Sequence, residues 1–151
     1  MNKIRTCLWF DDNGHEAAEF YVSVFAGQGD TRIISTTPGP GGKPLAVTFR
    51  LAGVEYMALN GGTFYKLTPA ASISVDCETQ QEIDTYWDKL VEGGQPSRCG
   101  WLTDRFGLSW QIVPAILAKL MQDPVRAPKA MAAFMGMIKL DLAAIEAAAA
   151  A

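Results

Sequence analysis

The sequence predicts an α+β fold of two βαβββ modules followed by C-terminal helices, and two observations predict it. The first is an ordered internal repeat. Phe10-Asp11 recurs as Val75-Asp76, each followed by a polar turn and a helix with an aromatic pair, Phe20-Tyr21 and then Tyr86-Trp87. Each helix stops near a glycine, Gly27 and then Gly93; Gly53 then corresponds to Gly107, and Tyr56 to Trp110. A repeat of this kind constrains architecture before any local propensity does. The second observation is the run CGWLTDRFGLSWQIVP at residues 99–114, where a turn at 104–107 separates apolar strands carrying Trp101 and Trp110. A fainter copy spans residues 51–60.

Taken in order, residues 4–10 form a short apolar-rich run and read as a buried strand. Asp11-Asp12-Asn13-Gly14 supplies a turn and a helix N-cap. Residues 16–25 place Ala17, Phe20, Tyr21, Val24 and Phe25 on one helical stripe, and Gly27-Gln28-Gly29-Asp30 stops it. Residues 31–36 are β-branched and predict a strand; residues 38–44, rich in glycine and proline, predict a loop. Residues 45–51 and 54–60 predict a hairpin about Ala52-Gly53. The first module is therefore residues 1–60, and residues 61–69 are a linker.

The second module covers residues 70–113. It opens with a strand at 71–77. A helix at 79–91 follows, with Thr79 and Glu82 in capping-box spacing, and Gly93-Gly94 ends it. Strands at 95–99, 101–104 and 108–113 complete the set. Residues 114–151 predict C-terminal helices: one opened by Pro114 and running to Gln122, one at 127–137 and a short amphipathic one at 138–145. The alanine tail beyond is expected to fray.

Composition bounds the function. A chain of 151 residues, 49% hydrophobic and 19% charged, is an ordinary globular chain and reads as one domain, 1–151. The formal net charge of -3 and the scattered basic residues argue against a nucleic-acid partner. Cys7, Cys77 and Cys99 are odd in number and widely spaced, which fits neither a disulfide framework nor a CxxC metal site and suits a reducing cytoplasm. No signal peptide or membrane span is read.

Several of these residues carry a likeness to a known family: Trp9-Phe10-Asp11, Glu16-Ala17-Ala18-Glu19-Phe20-Tyr21, Pro38-Gly39-Pro40-Gly41-Gly42, Met57-Ala58-Leu59-Asn60-Gly61-Gly62 and the run 99–114. Together they resemble the PhnB-like branch of the vicinal oxygen chelate superfamily, which also holds glyoxalase I, extradiol dioxygenases and bleomycin-resistance proteins. Members of this branch are often described as 3-demethylubiquinone-9 3-methyltransferase. The resemblance implies paired modules whose mixed sheets curl around a shared cavity, usually in a homodimer. It also implies, for active members, a divalent metal held by His and Glu from the first and last strand of each module, acting as a Lewis acid.

At the corresponding positions this chain offers Arg5 or Thr6, Met57, residues 70–72 and Gln111, none of them His, Asp or Glu. No metal and no cofactor are therefore expected; a metal held by Glu55, Gln111 and substrate is the strained alternative. Methyl transfer on a Rossmann-like site lacks its glycine turn, because Gly39 to Gly42 lead through Lys43-Pro44 into a strand and present no helix N-terminus.

The expected ligand-binding residues are Arg5, Trp9, Met57, Trp101 and Gln111. Arg5 suits an anionic group, or is a strand-end charge reaching solvent. Trp9 and Trp101 line a pocket or fill the core, whereas Tyr56 and Trp110 are symmetric core elements. Cys7 and Cys99 read as small buried hydrophobes rather than as a reactive pair, since no base neighbours either in sequence, and His15 as an exposed residue of the first helical turn. Asp11 and Asp76 serve turns, and Met131, Met135 and Met137 with Phe134 form either a partner surface or internal packing. The leading expectation is binding of a small, partly aromatic molecule without a metal. A metal-dependent lyase or dioxygenase with an altered site, the methyltransferase of the family description, and a ligand-free interaction module are the alternatives.

Overall fold

The computed structural model describes residues 2–151. The chain divides into two compact units, one ending at Leu67 and one beginning at Thr68. Each contains a four-stranded mixed sheet, and neither sheet closes into a barrel.

The first unit contains β1 (Thr6–Phe10), α1 (Gly14–Val24), β2 (Arg32–Pro38), β3 (Pro44–Leu51) and β4 (Val54–Asn60). The strand order is β1-β4-β3-β2, with β1 parallel to β4 and the other pairs antiparallel. The β3–β4 turn places Ala52 at φ 48° and Gly53 at φ 87°, the paired positive values that a tight hairpin with right-handed strand twist demands. The loop at 38–44 shrinks to a 3₁₀ turn at Pro40–Gly42, because both flanking prolines belong to strands and pair with each other. On one face Leu8, Phe10, Val47, Phe49, Leu51, Tyr56 and Ala58 are buried with Ala17, Ala18, Tyr21 and Val24 of α1. Phe49 stacks on Tyr56 at 5.5 Å between centroids.

α1 begins two residues before its expected start. Asn13 occupies the N-cap without a side-chain bond. The cap comes instead from Asn60 at the end of β4, whose Oδ1 accepts from the Gly14 N–H at 2.7 Å. A β-carbon on Gly14 would sit 2.7 Å from that oxygen, so a larger residue there would displace the Asn60 cap.

The second unit repeats the plan with β5 (Ser72–Cys77), α2 (Gln80–Val91), β6 (Gln95–Pro96), β7 (Trp101–Thr103) and β8 (Ser109–Pro114), in the order β5-β8-β7-β6. The first and last strands again pair in parallel. Thr79 caps α2 through its hydroxyl, which accepts from the Glu82 N–H. Trp110, Ile112, Leu102 and Leu108 are buried with Ile83 and Leu90 of α2.

The expected strand at 95–99 is only two residues long. Cys99 at φ 60° and Gly100 at φ 83° turn the chain, and their N–H groups bond the Met137 and Ile138 carbonyls at 2.8 Å each instead of a strand. Pro114 ends β8 opposite Cys77 rather than opening a helix.

The C-terminal helices are α3 (Ile116–Leu120), α4 (Arg126–Phe134) and α5 (Leu142–Ala150). Residues 138–141 are not helical. Asp141 caps α5 by accepting from the Ala144 N–H, and the alanine tail expected to fray is the body of this helix. Tertiary packing overrides the end effect: Ile145 and Ala149, one turn apart, are buried with Leu120, Ala130 and Leu140. No helix is long and apolar enough to cross a membrane among the described residues.

Burial sets the reactivity of the three thiols. Cys77 is buried, but Cys99 is only half-buried and Cys7 is exposed at the start of β1, which corrects the reading of those two as buried hydrophobes. Burial, with help from Glu82, Asp76 and Glu78, pushes the Cys77 thiol up to about 12. A thiol reagent at neutral pH is expected to modify Cys7 first, because it is the exposed thiol even though partial burial raises it, and to spare Cys77 until the protein unfolds, because the thiolate is the reactive form. Counting modified cysteines by mass spectrometry with and without urea checks this; rapid labelling of Cys77 in the native protein would contradict it.

Candidate functional site

In each unit one sheet face packs on the helix of its own βαβββ repeat and the other faces away from it, and the expected ligand-binding residues belong mainly to the second kind of face. Register decides this, since directly paired residues share a face. In the first unit Met57 pairs with Cys7 and Thr48, and Leu59 pairs with Trp9 and Ala46. In the second, Gln111 pairs with Ser74 and Trp101, and Ser109 pairs with Ser72 and Thr103. The first-strand register partners of Met57 and Gln111 are thus Cys7 and Ser74, while Ser72, within the expected 70–72, bonds the Gln111 amide. The repeat alone leaves the register loose by one or two residues, and hydrogen-bond pairing fixes it.

Arg5 neither stands free for an anion nor reaches into solvent alone. Its Nε donates to Glu55 Oε2 at 2.7 Å, and Arg50 Nη2 donates to Glu55 Oε1 at 3.2 Å. Arg50 Nη1 also donates to Asp30, which accepts from Arg32 as well. Glu55 has a side chain only 5% exposed, and burial of a carboxylate is tolerable only with partners of this kind. The Arg5 guanidinium first, and then that of Arg50, hold the Glu55 carboxyl below its ordinary range against the opposing effect of burial. Arg50 and Arg32 do the same for Asp30.

A depressed carboxyl stabilises the fold above its unfolded pKa and loses that contribution as pH falls through its folded value. The protein is therefore expected to lose stability on acidification below the usual carboxylate range. Glu55→Gln is expected to show a smaller loss, measured by urea unfolding at neutral and acid pH. Equal acid losses in both proteins would remove Glu55 from the effect.

Trp9 is committed to its own unit. Its Nε1 donates to the Gly62 carbonyl at 2.9 Å, and its ring meets Tyr65 edge-on at 4.9 Å. A β-carbon on Gly61 would lie 2.4 Å from the indole. The segment after β4 thus folds over Trp9, which is half-buried packing. Met57 is half-buried on the same face.

Trp101 and Gln111 are brought together as direct partners on β7 and β8. Both are half-buried. Gln111 Nε2 donates to Ser72 Oγ at 2.9 Å, which fixes the amide beside the indole. Ser109, on the same face, is 1% exposed, and its hydroxyl has no partner among the described residues. At the other end of the face, Val113 packs against the core of the C-terminal helices, so these helices wall off that end. Trp110 faces the opposite way: it is fully buried, and its Nε1 donates to Asp104 Oδ2 at 2.8 Å.

The donor set does not suit the metal that the superfamily resemblance implies. At the register-matched centres stand Cys7 with Met57 and Ser74 with Gln111, a thiol, a thioether, a hydroxyl and an amide. The Glu55 carboxylate is engaged by two guanidinium groups. Among the described residues no three His, Cys, Asp or Glu side chains converge on one point. His15 instead pairs with Glu19 on the exposed start of α1.

Three features escaped the sequence reading. The Glu55 network and the unpartnered Ser109 hydroxyl are set by strand register. The third is a groove of about 360 Å³ in the first unit, at the ends of β1 and β4, lined by Asp11, Asp12, Lys43, Pro44, Leu45 and Asn60 among others. The polar groups at its floor are already used: Asn60 bonds Gly14 and the Pro44 carbonyl, and the Gly61 and Gly62 N–H groups bond Phe10 and Asp11. The Asp11-Asp12 pair did read as a turn, but its rim position was not visible.

A model of the family described as 3-demethylubiquinone-9 3-methyltransferase matches residues 2–113. Among solved structures, the PhnB protein of Bacillus cereus is 33% identical, with a TM-score of 0.67 over 74% of this chain and 99% of that one. A protein of Pseudomonas aeruginosa is 20% identical, with a TM-score of 0.62 over 76% of this chain and 98% of that one. The fosfomycin resistance protein FosX of Listeria monocytogenes, whose structure holds Mn(II) and sulfate, is 14% identical, with a TM-score of 0.54 over 74% of this chain and 89% of that one. The last two likenesses show the fold alone. No curated protein matches the chain. Residues 114–151, the C-terminal helices, lie beyond the family match.

Proposed function

The chain belongs to the 3-demethylubiquinone-9 3-methyltransferase family, a PhnB-like group with the vicinal oxygen chelate fold, and we propose that it binds a small, partly aromatic molecule without a bound metal ion. One observation carries this reading: Trp101 and Gln111 stand side by side on the sheet face turned away from α2, half-buried, with the amide pinned by Ser72. An aromatic face with one fixed polar group is what orients a planar, mostly apolar ligand. The donor set supports the metal-free half of the reading, because thioether, amide and hydroxyl groups are poor holders of the divalent metals used as Lewis acids.

Titration of a compound panel against tryptophan fluorescence tests the proposal. Trp101→Ala is expected to weaken binding of the hits by about 2 kcal/mol, as truncation of an anchoring aromatic does, while the fold survives. Gln111→Ala is expected to cost less, about 1 kcal/mol, since it removes a hydrogen-bonding group and little area. Unchanged affinities in both variants would place binding elsewhere. Elemental analysis of protein purified without chelator tests the metal-free half, which stoichiometric zinc, nickel, iron or manganese would overturn.

Methyl transfer, the activity in the family description, has less behind it in this chain. The first N–H of α1, at the β1–α1 turn, is taken by Asn60, and the glycine run at 39–42 leads into strand β3 rather than into a helix. Binding of S-adenosylmethionine by calorimetry would favour methyl transfer over the proposal. We further propose that two chains pair, covering exposed apolar side chains such as Phe64, Val125 and Met135; light scattering showing only monomer at micromolar concentration would count against it.

A further inference from the structure

We infer that the groove at the ends of β1 and β4 is a binding site separate from the Trp101 face, and that it takes a small organic cation, a primary ammonium on an apolar stem. The groove lies wholly within the first unit. The β1–α1 turn gives it Asp11 and Asp12, and the other wall, between β2 and β3, gives it Lys43, Pro44 and Leu45. Its volume of about 360 Å³ falls within the range of small-molecule sites, roughly 300–1,000 Å³.

The hydrogen-bond inventory selects the chemistry. Asn60 is spent on the Gly14 N–H and the Pro44 carbonyl, and the Gly61 and Gly62 N–H groups are spent on the Phe10 and Asp11 carbonyls. The Asp11 carboxylate has no hydrogen bond or ion pair among the described residues. That of Asp12 has one partner, Lys43 Nζ at 3.7 Å, which is longer than a hydrogen bond. The capacity left open is therefore that of charged acceptors, and a cationic donor satisfies it. Lys43 shows that an ammonium fits: it reaches Asp12 from the opposite wall, and both side chains are largely exposed, so the pair is loosely held. Two carboxylates against one ammonium leave the groove a net negative charge. The stem has its own surface. Leu45 is 43% exposed although Ala46 and Val47 beside it are buried, and it stands next to Pro44 on the groove wall. The turn that carries this wall is closed by the Gly39 N–H on the Lys43 carbonyl at 2.9 Å, so the wall is formed before any ligand arrives.

The test titrates three probes of one stem, phenethylammonium, phenethyl alcohol and hydrocinnamate, into the full chain and follows its amide signals by NMR. The expected shifts centre on the backbone of Asp12, Lys43 and Leu45 and on the Asn60 side-chain amide. Phenethylammonium is expected to bind about three- to fivefold more tightly than the alcohol, the size of an exposed ion pair, and hydrocinnamate most weakly. Asp11→Asn, which keeps the side-chain shape, is expected to erase most of that preference and to leave the alcohol unchanged. Lys43→Met is expected to raise the preference, because it removes the competing ammonium. Leu45→Ser is expected to weaken ammonium and alcohol alike. Glu92→Gln, which removes an exposed carboxylate of the second unit, controls for net charge and is expected to change nothing. A preference that survives in both Asp11→Asn and Asp12→Asn overturns the inference, as does an equal loss in Glu92→Gln or a set of shifts that misses the groove. If calcium ions shift the groove signals and phenethylammonium does not, the site belongs to a metal ion and the inference falls. The Trp101 face is read separately by the fluorescence titration above, so either reading can fail without the other.

Discussion

Trp110→Ala is expected to destabilise the protein by about 3–5 kcal/mol, the usual cost of deleting a large buried aromatic. Trp110 is fully buried at the centre of the second unit's core, flanked in register by Ile73 and Leu102. It also holds the turn before it. Asp104, only 3% exposed, accepts from the N–H groups of Phe106 and Leu108 with Oδ1 and from the Trp110 indole with Oδ2. The carboxylate thus closes the 104–108 turn and locks it to β8.

Trp110→Phe separates the two contributions. It keeps much of the apolar area but removes the indole donor, and it is expected to cost about 1–3 kcal/mol. Asp104→Ala is expected to cost a similar or larger amount, because several donors lose their acceptor at once. A double-mutant cycle of Trp110→Phe with Asp104→Ala, read by urea unfolding, should give less than additive loss. Strict additivity would mean that the bond contributes nothing. The tryptophan that looked like half of a sequence motif is thus a structural latch, and Trp101, on the opposite face, is the one that the binding proposal uses.

The repeat was legible in the sequence because its period and order survive even where identity does not. Strand, capped helix and glycine stop recur, and the parallel pairing of β1 with β4 and β5 with β8 follows that order. The family match over residues 2–113 agrees with it. What stayed hidden depends on which residues face each other across strands. A shift of one residue moves a side chain to the other face, so Cys7 and Ser74 could not be told from their neighbours. The same limit concealed the Glu55 network: its charge was visible on an apolar strand, but its partners are Arg5, just before β1, and Arg50 of β3. The cap of α1 by Asn60 was hidden for a different reason, since local signals named Asn13 and the acceptor came from 46 positions away. The alanine tail misled because propensity and terminal position say nothing about a core supplied by distant helices.

That core carries the second large expectation. Ile145→Ala is expected to cost about 2–5 kcal/mol, as deletion of a fully buried aliphatic side chain does. α5 has nine residues, too few to be stable alone in water, so its helicity derives from Ile145 and Ala149 against Leu120, Ala130 and Leu140. The loss should spread beyond α5. Leu140 lies against Gly100, where a β-carbon would approach it to 3.0 Å, and Gln80 of α2 bonds both the Leu140 carbonyl and the Leu142 N–H. The same cluster covers Val113 at one end of the face that bears Gln111. Loosening it should therefore weaken ligand binding at that face while the first unit is untouched. Urea unfolding followed by circular dichroism reads the stability change, and fluorescence titration of the panel hits reads the binding change. If Ile145→Ala lowers stability as expected and leaves all affinities intact, the C-terminal helices are a brace for the second unit and no wall of its binding face.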